Sequence, residues 1–437
     1  MSIHQLNTKS NAENNTSLYV YNTLINDLLL KTQKPGQYIG IEWNHKIELE
    51  AFNKNKLIKN HKTWSECLAR AAIIYPDIYE LGMSNLGIKI LYKIINEQRD
   101  YLCDRAYAPM KDMEELITNK NIPLWGWESF EALYNFDLLG FSLSYELSYT
   151  NVLNIFKLSH LNIMSKDRKG IFPIIFAGGP ACFNPEPMAD FIDFFIIGDG
   201  EEVILEILNL IKDYKIKHSS TTTVQDQESF KDSLLYSLAQ LKGIYVPKFY
   251  QPDPFNNNLP KPIQYFPFDV HIPEKIEKRV VSLTDINQPI NELVPYLATI
   301  HDRQVLEIRR GCDRGCRFCQ PGYTYLPVRE RTPDNLLDLS KKALSNTGYD
   351  EYSLLSLSAS DTTCLHETVF KLNDAHANKG ISLSMPSQRA DRFDMSIANE
   401  INSVRKTGIT LAPEAGSERL REVINKGLKE KDIKQAI

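Results

Sequence analysis

The sequence has no run of 18 uncharged, mostly apolar residues, and its start, MSIHQLNTKSNAENN, has no cationic stretch followed by an apolar one. The first absence excludes a membrane-spanning helix and the second a secretory leader, so a cytoplasmic protein is the expectation. The uncharged run from Gly170 to Pro185 is interrupted by Gly178, Gly179 and Pro180 and reads as a buried strand plus a loop. Cysteine is scarce and odd in number, seven in all, with three packed between Cys312 and Cys319. A secreted disulfide framework is therefore excluded, and the crowding points to a metal. No sign of charge dominates either: 50 Lys plus Arg face 55 Asp plus Glu, a formal charge of -5. That balance singles out no partner, since nucleic-acid binding needs a local basic patch that composition averages away. What is present is 437 residues, 43% apolar and 24% charged. At ~150 residues per domain this gives two or three domains with real cores, and no disordered tail, collagen-like fibre or miniprotein.

Residues 1-68 form an N-terminal extension with no sustained period beyond TLINDLLLK, a short amphipathic helix, and carry no assigned chemistry. From Ala69 the apolar runs ARAAIIYP, FDLLGFSLS, GIFPIIFAGG and FIDFFIIGDG, with a weaker LCDRAYAP, alternate with helical patterns. In one of these, over Leu86 to Asn96, Ile88, Leu91, Ile94 and Ile95 share a side. Short apolar strands alternating with helices predict a parallel sheet covered on both faces over 69-216, an α/β domain. The loops after its strands, ELGMSN, AGGPACFNPEP and IGDGEE, would form the binding rim. Residues 217-295 read as an insertion and inter-domain linker: a Ser/Thr-rich stretch, KHSSTTTVQDQES, then a Pro-rich passage from Pro247 to Pro273.

A second βα series over 296-437 is predicted from RQVLEIRR, EYSLLSLSAS, GISLSMPS and GITLAPE, four strands in all. Its first helix is well punctuated, with Thr332 as cap, Pro333 at its first position, Leu336, Leu337, Leu339, Ala343 and Leu344 near period 3.6, and Gly348 at its end. The series stops at Ile437 in a helix beginning near Asp432. Four parallel strands would leave an open edge, so a separately encoded remainder of the barrel is an expected partner.

The strongest signal is RRGCDRGCRFCQPGYTYLPVRER, in which Cys312, Cys316 and Cys319 follow a C-x3-C-x2-C spacing just after a predicted strand. Four thiolates ordinarily close a structural zinc site or an iron-sulfur cluster, and here only three are local. A tight loop with Gly311 and Gly315 can set three sulfurs around one cubane and leave the fourth iron open to an exogenous ligand. The competing reading is a zinc-stabilised binding module with a distant fourth ligand, Cys364 and His366 being nearest in sequence. Zinc ribbons usually pair two C-x2-C knuckles, and no second C-x2-C or H-x3-H partner occurs, which favours the cluster.

With Phe318 before the third cysteine, this spacing resembles that of the radical S-adenosylmethionine (SAM) superfamily. YPDIYELGMSNLGIKILY, FDLLGFSLSYELSYTNVLN, AGGPACFNPEPMADF and IGDGEE extend the resemblance, from about Lys34 onward, to an uncharacterised group with an N-terminal cobalamin (B12)-binding-like domain. The fold so implied is a Rossmann-like (flavodoxin-like) cobalamin-binding-type domain followed by a partial TIM-like radical SAM βα barrel. The cofactors so implied are a [4Fe-4S] cluster on Cys312, Cys316 and Cys319, SAM, and cobalamin as a further candidate. The chemistry so implied is reductive cleavage of SAM to a 5'-deoxyadenosyl radical, with a reducing electron-donor protein as partner.

By analogy with that family, Ser358, Ser360 and Asp361 suit the methionine amine, Ser387 and Arg389 the ribose and carboxylate, and Glu414 a polar contact, while Ser417 reads as a helix cap. Ordinary turn and cap chemistry is the alternative for each. Arg309, Arg310, Arg314 and Arg317 around the cysteines either offset cluster charge or form a basic docking loop. In the first domain the D-x-H-x-x-G string that supplies a histidine to cobalt is missing. Gly178, Gly179, Asn184, Glu186, Gly198 and Gly200 remain as candidates for approach to cobalamin. Methyl or methylthio transfer to RNA or another macromolecule is the expected reaction. A catalytically incomplete, cluster-carrying subunit is the alternative. His160, His366, His376, Trp125 and Trp127 are read as core or flanking residues.

Overall fold

The computed structural model describes residues 16–48, 61–217, 224–252, 265–283 and 288–437. The chain divides into two compact units, one of residues 1–279 with 295–300, the other of 280–294 with 301–437. No helix among the described residues is long and apolar enough to cross a membrane.

The first unit is built on β1 (Ala69–Tyr75), β2 (Tyr101–Tyr107), β3 (Leu138–Ser142), β4 (Ile174–Gly178), β5 (Phe194–Ile196) and β6 (Ile244–Tyr245). They lie in the order β2-β1-β3-β4-β5-β6, and all pairs are parallel except β5 with β6. The five parallel strands are the apolar runs read from the sequence, nearly every residue of them buried, as a sheet covered on both faces requires. The order 2-1-3-4-5 is the flavodoxin-like arrangement, with its switch point between β1 and β3. The helix Leu86–Asn96 returns the chain from β1 to β2, and its N-cap Asn85 accepts the Ile88 N–H at 3.1 Å.

Two departures from the sequence reading lie in this unit. The Ser/Thr-rich stretch over 218–223 and the Pro-rich stretch over 253–264 lie outside the described residues. Beyond the first, Val224–Ala239 is helical with Leu234, Leu235 and Leu238 buried, and it leads into β6 on the sheet edge. Its apolar positions follow a polar lead-in, which is why they read as part of an insertion. Beyond it, β7 (Tyr250–Pro252) pairs antiparallel with β8 (Tyr265–Pro267).

β2 reads weakly because it carries charge into the core. Arg105 is fully buried and bridges Glu42 at 2.9 Å and Glu128 at 2.8 Å, both equally buried. Asp104 beside it accepts hydrogen bonds from the Ser129 hydroxyl (2.7 Å) and the Ser129 N–H (2.8 Å). Glu42 ties the N-terminal extension to this network, which compensates each charge with partners. Trp125 and Trp127 are buried and stacked, as a core role requires.

The second unit holds β9 (Gln304–Glu307), β10 (Arg309–Arg310), β11 (Arg329–Glu330), β12 (Glu351–Leu355) and β13 (Ser382–Ser384). β13, β12 and β9 form a parallel sheet in that order, while β10 and β11 pair antiparallel. The helix Pro333–Thr347 begins and ends as read, with Thr332 accepting the Asn335 N–H and Gly348 in the left-handed region. Its Leu336 and Leu344 pack with Leu306, Tyr352, Leu354, Val369, Leu372 and Leu383 in one core. Buried His376 meets the Ser340 hydroxyl at 2.8 Å. The fourth expected strand, GITLAPE, is corrected by the structure: it makes only an isolated parallel bridge, Leu411 with Gln388. Its residues are exposed or half-buried, so no apolar face holds it in a ladder.

Candidate functional site

Residues 311–328 form a loop closed at its base by the two-residue ladder of β10 and β11, in which Arg309 faces Glu330 and Arg310 faces Arg329. Gly311 opens the loop at φ 89°, where a Cβ would stand 2.7 Å from the Tyr325 carbonyl oxygen. Only glycine lets the chain turn that closely. Cys312 is buried, Cys316 and Cys319 are half-buried, and the Cys319 N–H donates to the Cys316 carbonyl at 3.1 Å. Burial pushes the Cys316 thiol up, as do the neighbouring Cys312 and Cys319, while the cations of Lys426 and Arg389 oppose the rise.

Among the described residues no three His, Cys, Asp or Glu side chains converge so as to hold one metal ion. The two candidates for a fourth zinc ligand are placed otherwise: Cys364 is exposed and His366 stacks on Phe370 at 4.3 Å. The loop 311–328 itself carries three cysteines and no other Cys or His, a donor set that fits a three-thiolate cluster.

All but one of the residues expected around SAM fall into two sets of bonds, one around Asp361 and one around Arg389. Asp361, after β12, takes the Arg314 guanidinium from the middle of the cysteine loop, with Nε at 2.8 Å. Ser358 donates to the same carboxylate at 2.7 Å. Ser360 donates to Gln388 Oε1 at 2.7 Å and accepts the Arg389 N–H at 3.1 Å, joining the loops after β12 and β13. The Arg389 guanidinium reaches Asp391 (2.9 Å) and the Lys426 carbonyl (2.9 Å). Glu414, at φ 68°, accepts from the Lys426 amino group at 3.2 Å. Ser417 caps the helix Glu418–Val423 by accepting the Leu420 N–H. Ser387 is exposed and outside both sets of bonds. Sequence reasoning missed Gln388, Asn425 and Lys426; the polar side chains at the end of INK, after a short helix, were the available signal.

The arginines are not an open basic surface. Arg309 pairs with Glu330 (2.7 Å) and Asp313 (3.0 Å), Arg310 with Glu307 (2.9 Å), and Arg314 with Asp361. Arg317 is exposed and donates to the Val423 carbonyl at 2.6 Å.

In the first unit, Gly178 ends β4, Gly179 follows it, and Gly198 and Gly200 follow β5. A side chain on Gly179 would meet the Leu143 carbonyl at 2.6 Å, and one on Gly198 would collide with the Arg279 carbonyl. Both therefore serve close packing of the chain on itself. Gly178 and Gly200 have ordinary room, with nearest atoms at 3.8 and 3.6 Å. Asn184 is exposed, and Glu186 accepts the Tyr245 hydroxyl. After β1 the chain reads D-I-Y-E-L-G, with Tyr79 where D-x-H-x-x-G has its histidine. Tyr79 is buried and donates to Glu42 at 2.8 Å. The Tyr145 hydroxyl crosses the switch point to Asp77 at 2.7 Å.

Comparison with known proteins adds the family. A relative, "Uncharacterized protein MJ0966" of Methanocaldococcus jannaschii, is 28% identical over 385 residues, 87% of this chain. The chain spans 66% of that relative's own length. The solved cobalamin-dependent SAM radical enzyme OxsB, with aqua-cobalamin and SAM bound, has a TM-score of 0.53 at 12% identity, over 85% of this chain and 47% of that one. The tryptophan-bound radical SAM methyltransferase TsrM of Kitasatospora setae has a TM-score of 0.49 at 12% identity, over 84% and 64%. At such identities the OxsB likeness is one of fold. Residues 87–247 match the family of radical SAM proteins, N-terminal, and residues 306–437 match the radical SAM superfamily. With its cysteine loop inside the second of these segments, the chain belongs to the radical SAM superfamily.

Proposed function

We propose that this protein is a radical SAM enzyme whose Cys312, Cys316 and Cys319 hold a [4Fe-4S] cluster and whose surrounding loops hold SAM. The observation that carries the reading is the cysteine loop itself, three free thiols within eight residues of a loop that the left-handed Gly311 opens. The chemistry the bound cluster supplies is one-electron cleavage of SAM to methionine and a 5'-deoxyadenosyl radical. The chain's own part is to orient and enclose. Asp361 and Ser358 fix Arg314, Ser360 fixes the loop after β13, and Lys426 and Arg389 put positive charge beside Cys316.

The flavodoxin-like order of the first unit supports cobalamin as a second cofactor and methyl or methylthio transfer as the reaction. Tyr79, buried on Glu42, offers no ligand to cobalt, so cobalamin would be held without a protein side chain on the metal. RNA or another macromolecule is the proposed acceptor, and a reducing protein the electron donor. The test is anaerobic reconstitution of the full chain with iron and sulfide, then assay of 5'-deoxyadenosine from SAM and a reductant. Turnover supports the reading; a fully loaded cluster without turnover favours a subunit that needs a separately encoded remainder; bound zinc without a cluster overturns it. Titration with hydroxocobalamin, read by absorbance, tests the second cofactor separately.

A further inference from the structure

The turn after the helix Glu418–Val423 grips the cysteine loop on both sides of Cys316. On one side the Arg317 N–H donates to the Ile424 carbonyl at 3.0 Å and its guanidinium to the Val423 carbonyl at 2.6 Å. On the other, the Asn425 side-chain amide donates to the carbonyls of Gly315 (2.8 Å) and Arg314 (3.4 Å). Two successive peptide carbonyls thus converge on one nitrogen. In a planar trans peptide the N–H points opposite to its C=O, so the N–H groups of Gly315 and Cys316 both face away from Asn425. Gly315 is in the left-handed region at φ 64°, the conformation that turns successive N–H groups into a concave anion site of the kind found at iron-sulfur centres.

We propose that Asn425 is a positioning residue which, by holding these two carbonyls outward, aims the Gly315 and Cys316 N–H groups at the cluster and raises its reduction potential. The proposal rests on the cluster reading above. Asn425 itself stands at φ 56°, a conformation that asparagine and glycine tolerate and most residues do not, so the position suits its backbone as well as its amide. The Tyr323 hydroxyl adds a longer bond to the same Gly315 carbonyl, at 3.3 Å.

Asn425→Gly keeps the backbone conformation and removes the amide donor. In the reconstituted full chain its iron and sulfide content should equal that of the unaltered protein. Its midpoint potential should fall, with the reduced-to-oxidised ratio at a fixed solution potential dropping roughly fivefold, the worth of one net hydrogen bond. An unchanged potential at equal iron content overturns the proposal while leaving the cluster reading intact. Failure of the unaltered protein to take up any cluster overturns both. If Asn425→Gly holds less iron, Tyr323→Phe decides on the same terms: a smaller fall in potential supports the role of the Gly315 carbonyl, and no shift overturns it.

Discussion

The Asp361 carboxylate holds the Arg314 guanidinium in a two-pronged ion pair, with Nε 2.8 Å from Oδ2, and so joins the loop after β12 to the centre of the cysteine loop. Burial pushes the Asp361 carboxyl up, but the bonds from Arg314 and Ser358 outweigh it and hold the group at about 2. Its ordinary value is about 3.9, so the tie is complete above about pH 4 and is lost as pH falls toward 2.

Asp361→Asn should therefore loosen the loop at neutral pH. The expected result is release of iron to a chelator at pH 7.5 several-fold faster than from the unaltered protein. Equal release rates at pH 7.5 would show that the ion pair does not restrain the loop.

Gly311→Ala and Gly315→Ala separate backbone strain from mere position near the cysteines. At Gly311 both the positive φ and the 2.7 Å approach of the Tyr325 carbonyl oppose a side chain. At Gly315 the nearest atom is Asn425 Nδ2 at 3.5 Å, ordinary contact, and only φ opposes it. Gly311→Ala should cost about 2 kcal/mol or more of the second unit's stability and Gly315→Ala about 1. Denaturant melts of the iron-free chain measure both, and equal costs would contradict this reading of the loop.

Much of this was legible in the sequence and some was not, for reasons that particular residues make plain. Four of the five parallel strands of the first unit are dense apolar runs, and Thr332 and Gly348 mark the helix of the second unit unambiguously. GITLAPE has a strand's composition, but it gains only one bridging neighbour among the described residues, and composition does not encode neighbours. Asp104 and Arg105 look like a break in a strand because their partners Glu42, Glu128 and Ser129 come from distant segments. Likewise the cysteines announce themselves by spacing, whereas Asn425 and Gln388 reach the site only through tertiary contacts.

The buried network of the first unit has its own pH signature. Burial lifts the Glu128 carboxyl to about 7; Arg105 opposes the rise, while the Asp104 and Glu42 carboxylates add to it. Because the folded value lies above the unfolded one, the stabilising contribution is full below about pH 4.5 and is lost as pH rises through about 7. The melting temperature of the first unit should decline between pH 5 and 8, and Glu128→Gln should flatten that decline. An identical profile in the variant would mean that Glu128 is already ionised at pH 5.

The most direct measurement is electron paramagnetic resonance of the reduced, reconstituted full chain, recorded with and without SAM. A three-cysteine cluster with an open corner predicts a [4Fe-4S] signal whose shape changes when SAM is added, and its loss when Cys312, Cys316 or Cys319 is replaced by alanine. A signal indifferent to SAM, or protein that takes up zinc and no iron, would contradict the account.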